Sequence, residues 1–540
     1  MFRLFKQLLL VVFAGLFFQS CKQNEAPSNL ALSGVIPKPV SVTSTGERYS
    51  LTNKTQIFVT GDNAELKNAA TIFSDRLNEI ADLNLTVSNS GEAPDSEALL
   101  LTLNADPKLG AEGYELSISE KQIILNANQP AGIFMGLQTL LQLVPVTKDV
   151  SQNDSFVIPT GTIIDYPTYA WRGSMLDVAR HFFSVEDVKR YIDLISYYKM
   201  NVLHLHLSDD QGWRIEIKSW PNLALHGGST QVGGAKGGYY TQEQYKEIVA
   251  YAASRYITIV PEIDLPGHIN SALASYGELN GGTVVPIEGR YKGQTSTEGI
   301  LGTKSKPTEL YTGIEVGWST LRVEKPESFK FVDDVLRELA AITPGPYLHI
   351  GGDEAHVTKK EDYIVFINRF SEMVKAHGKK MIGWEEIAQA DIDENAIAQH
   401  WANKKYAQLA AEKGAQIIMS PSTKVYLDMQ YDSSSKLGLH WAAYIEVDDA
   451  YNWDPATQVD GVSKDQILGV ETPLWSETLV TMKDIEYMLF PRLPGIAEIG
   501  WSPAEGRSWD EYKVRLGNHA PFMRTLGIGF YPSKKVAWVE

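Results

Sequence analysis

The sequence is poor in cysteine, in basic charge and, over its first third, in tryptophan. Cys21 is the single cysteine among 540 residues, so no disulfide forms within the chain. There are 49 Lys and Arg against 66 Asp and Glu, for a net charge of −17. Nucleic acids and anionic lipid surfaces require a concentrated basic face, so this balance argues against both and favours a neutral or cationic ligand. Trp171 is the first of 12 tryptophans, which divides the chain into two regions of different character.

The sequence also has no apolar run long enough to span a bilayer, although it begins with a short one. Arg3 and Lys6 precede the apolar run 8–18, and Ser20 and Cys21 follow it. A transmembrane helix needs about 20 such residues, so this layout predicts an export signal at residues 1–20 instead. It resembles a bacterial lipoprotein signal, in which Cys21 becomes the lipidated first residue of the mature chain; an ordinary export signal is the alternative. We therefore expect an exported protein that touches the membrane only through its lipid anchor and faces the periplasm or the cell surface.

Composition and periodicity divide the remaining chain into four parts. Residues 21–35 are small and polar and predict a flexible tether. Residues 36–166 combine alternating strand-like runs with two helical segments, at 65–80 and 132–143, and predict a small α/β domain of the α+β sandwich type that supports the rest. Residues 167–505 form the largest domain, and residues 506–540 are expected to pack on it.

The large domain alternates short β-branched runs with amphipathic helical stretches. The strand candidates are residues 173–178, 202–208, 257–263, 347–351, 380–384, 396–400, 416–420 and 467–473. Eight strands alternating with helices predict a parallel (β/α)₈ TIM barrel, although periodicity alone also permits an open, doubly wound sheet. Two unusually long loops, 275–324 and 429–465, are expected to shape a binding site.

Polar and aromatic residues follow nearly every strand candidate. They are Asp177 and Arg180; Asp209 and Asp210; Glu262, Asp264 and His268; Asp353 and Glu354; Trp384, Glu385 and Glu386; Trp401; Tyr426 and Asp428; Trp475 and Glu477. The carboxyl ends of the strands of a parallel barrel meet at one face, which is where barrel enzymes have their active sites. Indoles stack on the C–H faces of sugars and carboxylates accept hydroxyl protons, so this set predicts a site for a neutral, polyhydroxylated ligand and calls for neither a cofactor nor a metal.

The segment His349-Ile350-Gly351-Gly352-Asp353-Glu354 resembles the hallmark of glycoside hydrolase family 20, the β-N-acetylhexosaminidases. Further similarities follow in the family's order, over about residues 167–505. They are Trp171-Arg172-Gly173, the run from Leu176 to His181, Asn201 to His206 with Asp209-Asp210-Gln211, Pro261 to His268, Gly383 to Glu386, Tyr426 with Asp428, and Trp475-Ser476-Glu477.

The resemblance implies an exo-acting enzyme that removes terminal β-linked GlcNAc or GalNAc with retention. This family is an exception to the use of two flanking carboxylates, because the substrate's own acetamide oxygen attacks the sugar and forms an oxazolinium. By resemblance, Glu354 is the general acid and then the base, Asp353 accepts the acetamide N–H, and the Tyr426 hydroxyl donates to the acetamide carbonyl.

The resemblance also assigns supporting roles. His268 and Asp209 lie behind the acid and tune it, while Arg172, Asp428 and Glu477 bind the sugar hydroxyls. The aromatic walls of the sugar pocket are Trp384, Trp401 and Trp475, with Trp441 as a contact for the leaving group.

Two other classes of function fit parts of the same sequence. His204 and His206 lie on one face of a strand and, with Asp209, His268 or Asp353, supply suitable ligands for a metal-dependent barrel hydrolase. A sugar-binding lipoprotein that has lost turnover would keep the same pocket. The complete set of Asp353, Glu354 and Tyr426 favours the hydrolase over this binding protein.

Overall fold

The computed structural model of the protein describes residues 28–89, 94–145, 155–286 and 306–540. The predicted export signal, Cys21 and the first part of the tether lie outside these ranges. Within them, no helix has both the length and the apolar character to cross a bilayer. Residues 28–35, expected in the flexible tether, instead pack on the first domain: Leu30–Leu32 forms a 3₁₀ turn, and Leu30 and Val35 are buried.

The first domain is a seven-stranded mixed sheet in the order β1-β7-β5-β6-β4-β2-β3. Its strands are β1 (Ser41–Thr52), β2 (Gln56–Val59), β3 (Thr86–Ser88), β4 (Ala98–Thr102), β5 (Tyr114–Ile118), β6 (Gln122–Ala127) and β7 (Ser155–Asp165). Two helices pack on this sheet, α1 (Ala64–Ala81) and α2 (Pro130–Leu143). The Asn63 side chain caps α1 by accepting two backbone N–H groups, and Pro130 provides the fixed φ that suits the first turn of α2.

The second domain is a closed barrel of eight parallel strands, which confirms the predicted (β/α)₈ fold and excludes the open sheet. The barrel strands are β8 (Trp171–Asp177), β9 (Val202–His206), β12 (Thr258–Glu262), β13 (Tyr347–His349), β14 (Lys380–Trp384), β15 (Ile397–His400), β16 (Gln416–Met419) and β17 (Ile467–Leu474). Between β9 and β12 lies a short antiparallel pair, β10 (Ser208–Asp209) and β11 (Gly212–Trp213). Closure comes from the pairing of β17 with β8, for example Val470 with Arg172.

Helices surround the barrel and continue to Thr525. They are α3 (Val185–Ser196), α4 (Asn222–Leu225), α5 (Gln242–Ala253), α6 (Asn270–Ser275), α7 (Pro326–Ile342), α8 (Lys360–Ala376), α9 (Lys404–Glu412), α10 (Ser422–Val425), α11 (Val447–Tyr451), α12 (Met482–Leu489), α13 (Arg492–Trp501), α14 (Trp509–Asn518) and α15 (Ala520–Thr525). Ser184 and Asp187 form a capping box that fixes the start of α3. His519, between α14 and α15, lies with its Nε2 3.0 Å from the Tyr198 hydroxyl, so the C-terminal segment packs against the barrel.

The two domains meet at the end of the barrel where the strands begin. Lys199 is fully buried there, and its ammonium lies 2.8 Å from the Asp165 carboxylate of the first domain. The Trp501 indole N–H donates to the same carboxylate at 2.9 Å, and the Tyr114 hydroxyl donates to it at 2.7 Å. The first domain therefore covers the amino ends of the strands, which leaves the carboxyl ends free to form a site.

Candidate active site

A pocket of about 290 Å³ opens at the carboxyl ends of the barrel strands. Its lining comes from residues that follow six different strands and from both long loops: Arg180, His268, Ile314, Val316, Asp353, Glu354, Trp401, Tyr426, Leu439, Trp441, Trp475 and Glu477. Ile314 and Val316 belong to the loop 275–324, and Leu439 and Trp441 belong to the loop 429–465, so the described parts of both loops help to form the pocket. Charged and polar side chains line it together with aromatic and aliphatic ones, a combination that suits both the faces and the hydroxyl edges of a sugar.

The acid pair Asp353 and Glu354 lies just beyond β13, where the backbone turns sharply. Gly351 and Gly352 have φ values of 67° and 100°, and a Cβ on Gly351 would collide with the Asp264 carboxylate. Glu354 itself has a φ of 44°, a conformation that costs free energy for a residue with a side chain. β13 ends at His349, so the two acids lie in the loop after the strand and not on the strand itself. Both line the same pocket and converge on one histidine.

That histidine, His268, lies between the acid pair and a buried aspartate. Its Nε2 is 3.4 Å from the Glu354 carboxylate and 3.8 Å from the Asp353 carboxylate, while its Nδ1 is 3.2 Å from Asp209. Burial disfavours a charged imidazole, but Asp209 and the two pocket acids outweigh it and raise the pKa of His268 well above its usual value. A protonated His268 therefore lies next to Glu354 in the free enzyme.

The two adjacent acids titrate differently because their surroundings differ. Burial raises the pKa of Asp353, and the charge of Glu354 adds to this effect while His268 opposes it. Burial also acts on Glu354, but the hydrogen bond and the charge of His268 prevail and lower its pKa. Opposite shifts in neighbouring carboxyl groups are typical of acids with different chemical tasks.

Arg180 also lines the pocket and carries a positive charge. Its Nη2 lies 2.7 Å from the Asp209 carboxylate, and its guanidinium lies 4.8 Å from the centre of the Trp475 ring. Its Nε is buried without a hydrogen-bond partner among the described residues, and its Nη1 has only long contacts, 3.4 Å to His206 and 3.5 Å to Asp177. The guanidinium therefore has donors left for a ligand.

Arg172, the residue expected to bind the sugar, does not reach the pocket, and this expectation is wrong. It is the second residue of β8, at the end of the barrel opposite the site, and it is fully buried. Its guanidinium donates to the Lys199 and Tyr169 carbonyls at 2.9 and 2.8 Å and to Glu112 of the first domain at 2.6 Å. Arg172 thus joins the two domains, and Arg180 occupies the position in the site that the sequence analysis gave to Arg172.

The expected aromatic walls divide into lining residues and a buried support. Trp401, Tyr426, Trp441 and Trp475 line the pocket, and the rings of Trp401 and Tyr426 lie nearly parallel at 6.5 Å. Trp384 does not: it is 1% exposed, donates its indole N–H to Glu262 at 2.9 Å and packs against Trp475 at 5.8 Å. It therefore supports the ring of Trp475 from below. Trp441 is 55% exposed and lies at the pocket mouth.

Several buried carboxylate oxygens of the site have no hydrogen-bond partner among the described residues. They are both oxygens of Asp428, one of Asp353 and one of Glu477. Asp428 lies outside the set of lining residues, and burial together with the charge of Glu477 raises its pKa well above the usual range. Buried acceptors without partners cost free energy, and hydroxyl groups of a ligand would satisfy them.

The histidine pair considered as a metal site points into the barrel interior. His204 Nδ1 is 2.8 Å from Glu471 and its Nε2 is 2.9 Å from Glu262. His206 contacts Glu262 at 2.5 Å and Asp209 at 3.1 Å. Clusters compact enough to surround an ion occur here and at His268, Asp353 and Glu354, but His204 and His206 do not line the pocket.

A closed parallel barrel whose strand ends surround a pocket of acids and indoles defines a sugar-cleaving barrel hydrolase. The family model "Glycosyl hydrolase family 20, catalytic domain" matches residues 169–364 and 356–504, and "Glycosyl hydrolase family 20, domain 2" matches residues 32–166. The chain belongs to glycosyl hydrolase family 20, and it is a glycoside hydrolase.

Individual relatives agree with this membership. The chain is 39% identical over 509 residues to the beta-N-acetylhexosaminidase of Cellulomonas fimi, a match that covers 93% of this chain and 97% of the relative. It is similar in structure to the GH20 beta-N-acetylhexosaminidase of Streptomyces coelicolor A3(2), with a TM-score of 0.86, 46% identity and coverage of 95% and 100% of the two chains. A mutant beta-hexosaminidase of Streptomyces plicatus in complex with the product GlcNAc gives the same score and identity, with coverage of 95% and 99%.

Proposed function

We propose that the protein is an exo-acting β-N-acetylhexosaminidase that removes terminal, non-reducing β-linked GlcNAc or GalNAc from oligosaccharides or glycoconjugates. The observation that carries this function is the convergence of Asp353, Glu354 and the Tyr426 hydroxyl on one pocket, with His268 beside the acids. An N-acetylated sugar is neutral, which suits an acid-rich pocket whose remaining acceptors need hydroxyl donors.

The first chemical step uses the substrate's own acetamide as nucleophile. Glu354 donates its proton to the glycosidic oxygen while the acetamide carbonyl oxygen attacks the anomeric carbon, so the leaving group departs as an alcohol and an oxazolinium forms. Asp353, as a carboxylate, accepts the acetamide N–H and stabilises the developing positive charge, and Tyr426 donates to the acetamide oxygen. That positive charge in turn favours the ionised form of Asp353 and so opposes the effect of burial on its pKa. Burial raises the pKa of Tyr426 well above its usual value, so the hydroxyl stays protonated and can donate this hydrogen bond to the acetamide oxygen.

The second step reverses the proton transfer. Glu354, now a carboxylate, takes a proton from a water molecule that attacks the anomeric carbon, and the acetamide is released with the original configuration retained. Glu354 must hold a proton when substrate arrives, although His268 lowers its pKa in the empty pocket. The protonated His268, whose Nε2 lies 3.4 Å from the Glu354 carboxylate, can transfer that proton to it. Asp209 holds His268 in place from the other side.

Hydrolysis of a panel of N-acetylated oligosaccharides, followed by proton NMR of the first product formed, tests this function. The expected result is release of one terminal sugar as the β-anomer. Release of the α-anomer, or cleavage within the chain, would refute the mechanism. Loss of activity on exhaustive chelation would instead favour the metal-dependent hydrolase, and binding without turnover would favour the sugar-binding protein.

We also propose that residues 1–20 direct export and that Cys21 carries a lipid anchor facing the periplasm or the cell surface. The proposal is supported by the order of charged, apolar and small residues around Cys21. Cell fractionation should place the wild-type protein in the membrane fraction and Cys21→Ala in the soluble fraction. Equal partitioning of the two proteins would contradict lipid anchoring.

A further inference from the structure

Two adjacent glutamates hold Trp401 from behind the pocket. Glu385 and Glu386 open the 3₁₀ turn Glu385–Gln389, which directly follows β14. Glu386 accepts the indole N–H of Trp401 at 3.1 Å, and Glu385 accepts the backbone N–H of the same residue at 3.2 Å. Glu385 also accepts the backbone N–H groups of Ala402 and Asn403. The backbone of Trp401 and its ring are thus fixed by separate side chains.

A second cavity, of about 300 Å³, adjoins this contact through Glu386. Glu386, Tyr363 and Tyr406 line it, and Glu354 lines both this cavity and the main pocket. Trp401 lines only the main pocket. The hydrogen bond from Trp401 to Glu386 therefore joins a residue that lines the main pocket to a residue that lines the second cavity.

We propose that Glu386 is a positioning residue that sets the size of the N-acyl group the enzyme accepts. The inference rests on the proposed function, in which Tyr426 binds the acetamide carbonyl. Trp401 lies nearly parallel to the Tyr426 ring at 6.5 Å, so it bounds the space beside the acetamide. Without its partner on Glu386, the Trp401 ring is free to tilt toward the second cavity, which widens the acyl pocket.

The titration of Glu386 indicates which substitution preserves this role. Burial, together with the charges of Asp353 and Glu385, raises the pKa of Glu386 well above its usual value. A neutral carboxyl group next to the acid pair still accepts a hydrogen bond through its carbonyl oxygen. Glutamine is neutral and has the same acceptor, so Glu386→Gln should keep Trp401 in place, whereas Glu386→Ala should release it.

The experiment measures kcat/KM for 4-nitrophenyl β-glucosaminides that carry N-acetyl, N-propionyl or N-butyryl groups. In Glu386→Ala the ratio of N-butyryl to N-acetyl activity should rise by about 10-fold or more, since each methylene that a pocket rejects is worth about 10–200-fold in discrimination. Glu386→Gln should keep the wild-type ratio. Lys360→Ala, which removes a side chain from the second cavity, is the matched control and should also keep it.

Trp401→Phe provides a second, independent test because it removes the indole N–H and retains an aromatic wall. It should shift the acyl ratio in the same direction, and adding Glu386→Ala to it should cause no further shift. An unchanged ratio in Glu386→Ala and in Trp401→Phe, with wild-type hydrolysis of the N-acetyl substrate intact, would overturn the inference. Failure of the wild-type enzyme to cleave the N-acetyl substrate would refute the proposed function itself.

Discussion

Exchanging Arg180 and, separately, Arg172 for alanine tests which arginine serves the sugar. Arg180 offers the pocket a buried Nε without a partner and an Nη1 whose own contacts are 3.4 and 3.5 Å long. Two charge-assisted hydrogen bonds to sugar hydroxyls, at about 1.5–3 kcal/mol each, would together supply about 3–6 kcal/mol of transition-state binding. Arg180→Ala should therefore reduce kcat/KM by about 10²–10⁴-fold.

Arg172→Ala should instead lower the stability of the protein and leave its kinetics unchanged. Its side chain is buried between Glu112, the Lys199 and Tyr169 carbonyls and the Trp501 ring, 5.0 Å away. Removing one partner of such a buried ion pair costs about 3–5 kcal/mol of stability. The thermal unfolding temperature should fall, while KM and kcat measured well below that temperature should match the wild type.

The assay compares steady-state kinetics on a chromogenic N-acetylglucosaminide with calorimetric unfolding for both variants. Arg180→Lys is a useful companion, because it keeps a positive charge next to Asp209 but loses the planar fork that reaches two acceptors. A raised KM in Arg172→Ala, or unchanged kcat/KM in Arg180→Ala, would refute this reading of the pocket.

Three further expectations concern the acids, the intermediate and pH. Glu354→Gln should lose hydrolysis of substrates with poor leaving groups while binding of GlcNAc is retained, as checked by calorimetric titration, and Asp353→Asn and Tyr426→Phe should each lower kcat by roughly 10²-fold or more. A thiazoline mimic of the oxazolinium should bind ~10²–10⁸-fold more tightly than substrate, and affinity no better than that of the free sugar would rule out substrate assistance. Burial opposes a charge on His204, but Glu262 and Glu471 raise its pKa to about 9. The raised pKa of His204 stabilises the folded protein fully below about pH 6.5, and this stabilisation is lost as the pH rises through about 9. The difference in unfolding temperature between wild type and His204→Gln should therefore shrink as the pH rises over that interval.

The strands of the barrel could be predicted because each one is a short buried run that ends in polar residues. Predicted and observed bounds coincide for 380–384, and the other strands differ by one or two residues at one or both ends. Periodicity alone does not establish closure, because closure depends on pairing between β17 and β8, which are about 300 residues apart in the chain. Periodicity reports which face of an element is buried, not which element lies beside it.

The error at Arg172 shows where motif resemblance needs geometry. The strand that contains it begins at Trp171, so Arg172 lies at the amino end and Arg180 lies beyond the carboxyl end. Because barrel sites form at the carboxyl ends of the strands, Arg180, which follows β8, is the arginine placed to reach the sugar. The same rule does not show that Trp384 lies outside the pocket lining. Its position depends on the packing of the Trp475 ring against it, which the sequence does not report.

The unpartnered acids of the pocket have a consequence for anyone who evolves this enzyme in the laboratory. The unpartnered buried oxygens of Asp353, Asp428 and Glu477 lower the stability of the protein when no ligand is bound. The backbone of Glu354 lowers it further, because its positive φ is one that glycine adopts more easily. Substitutions such as Asp428→Asn or Glu354→Gly should therefore raise heat resistance while turnover declines. A library of variants selected for heat resistance alone would therefore become enriched in stable proteins that have lost catalytic activity. Each round of selection has to include an assay of hydrolysis as well.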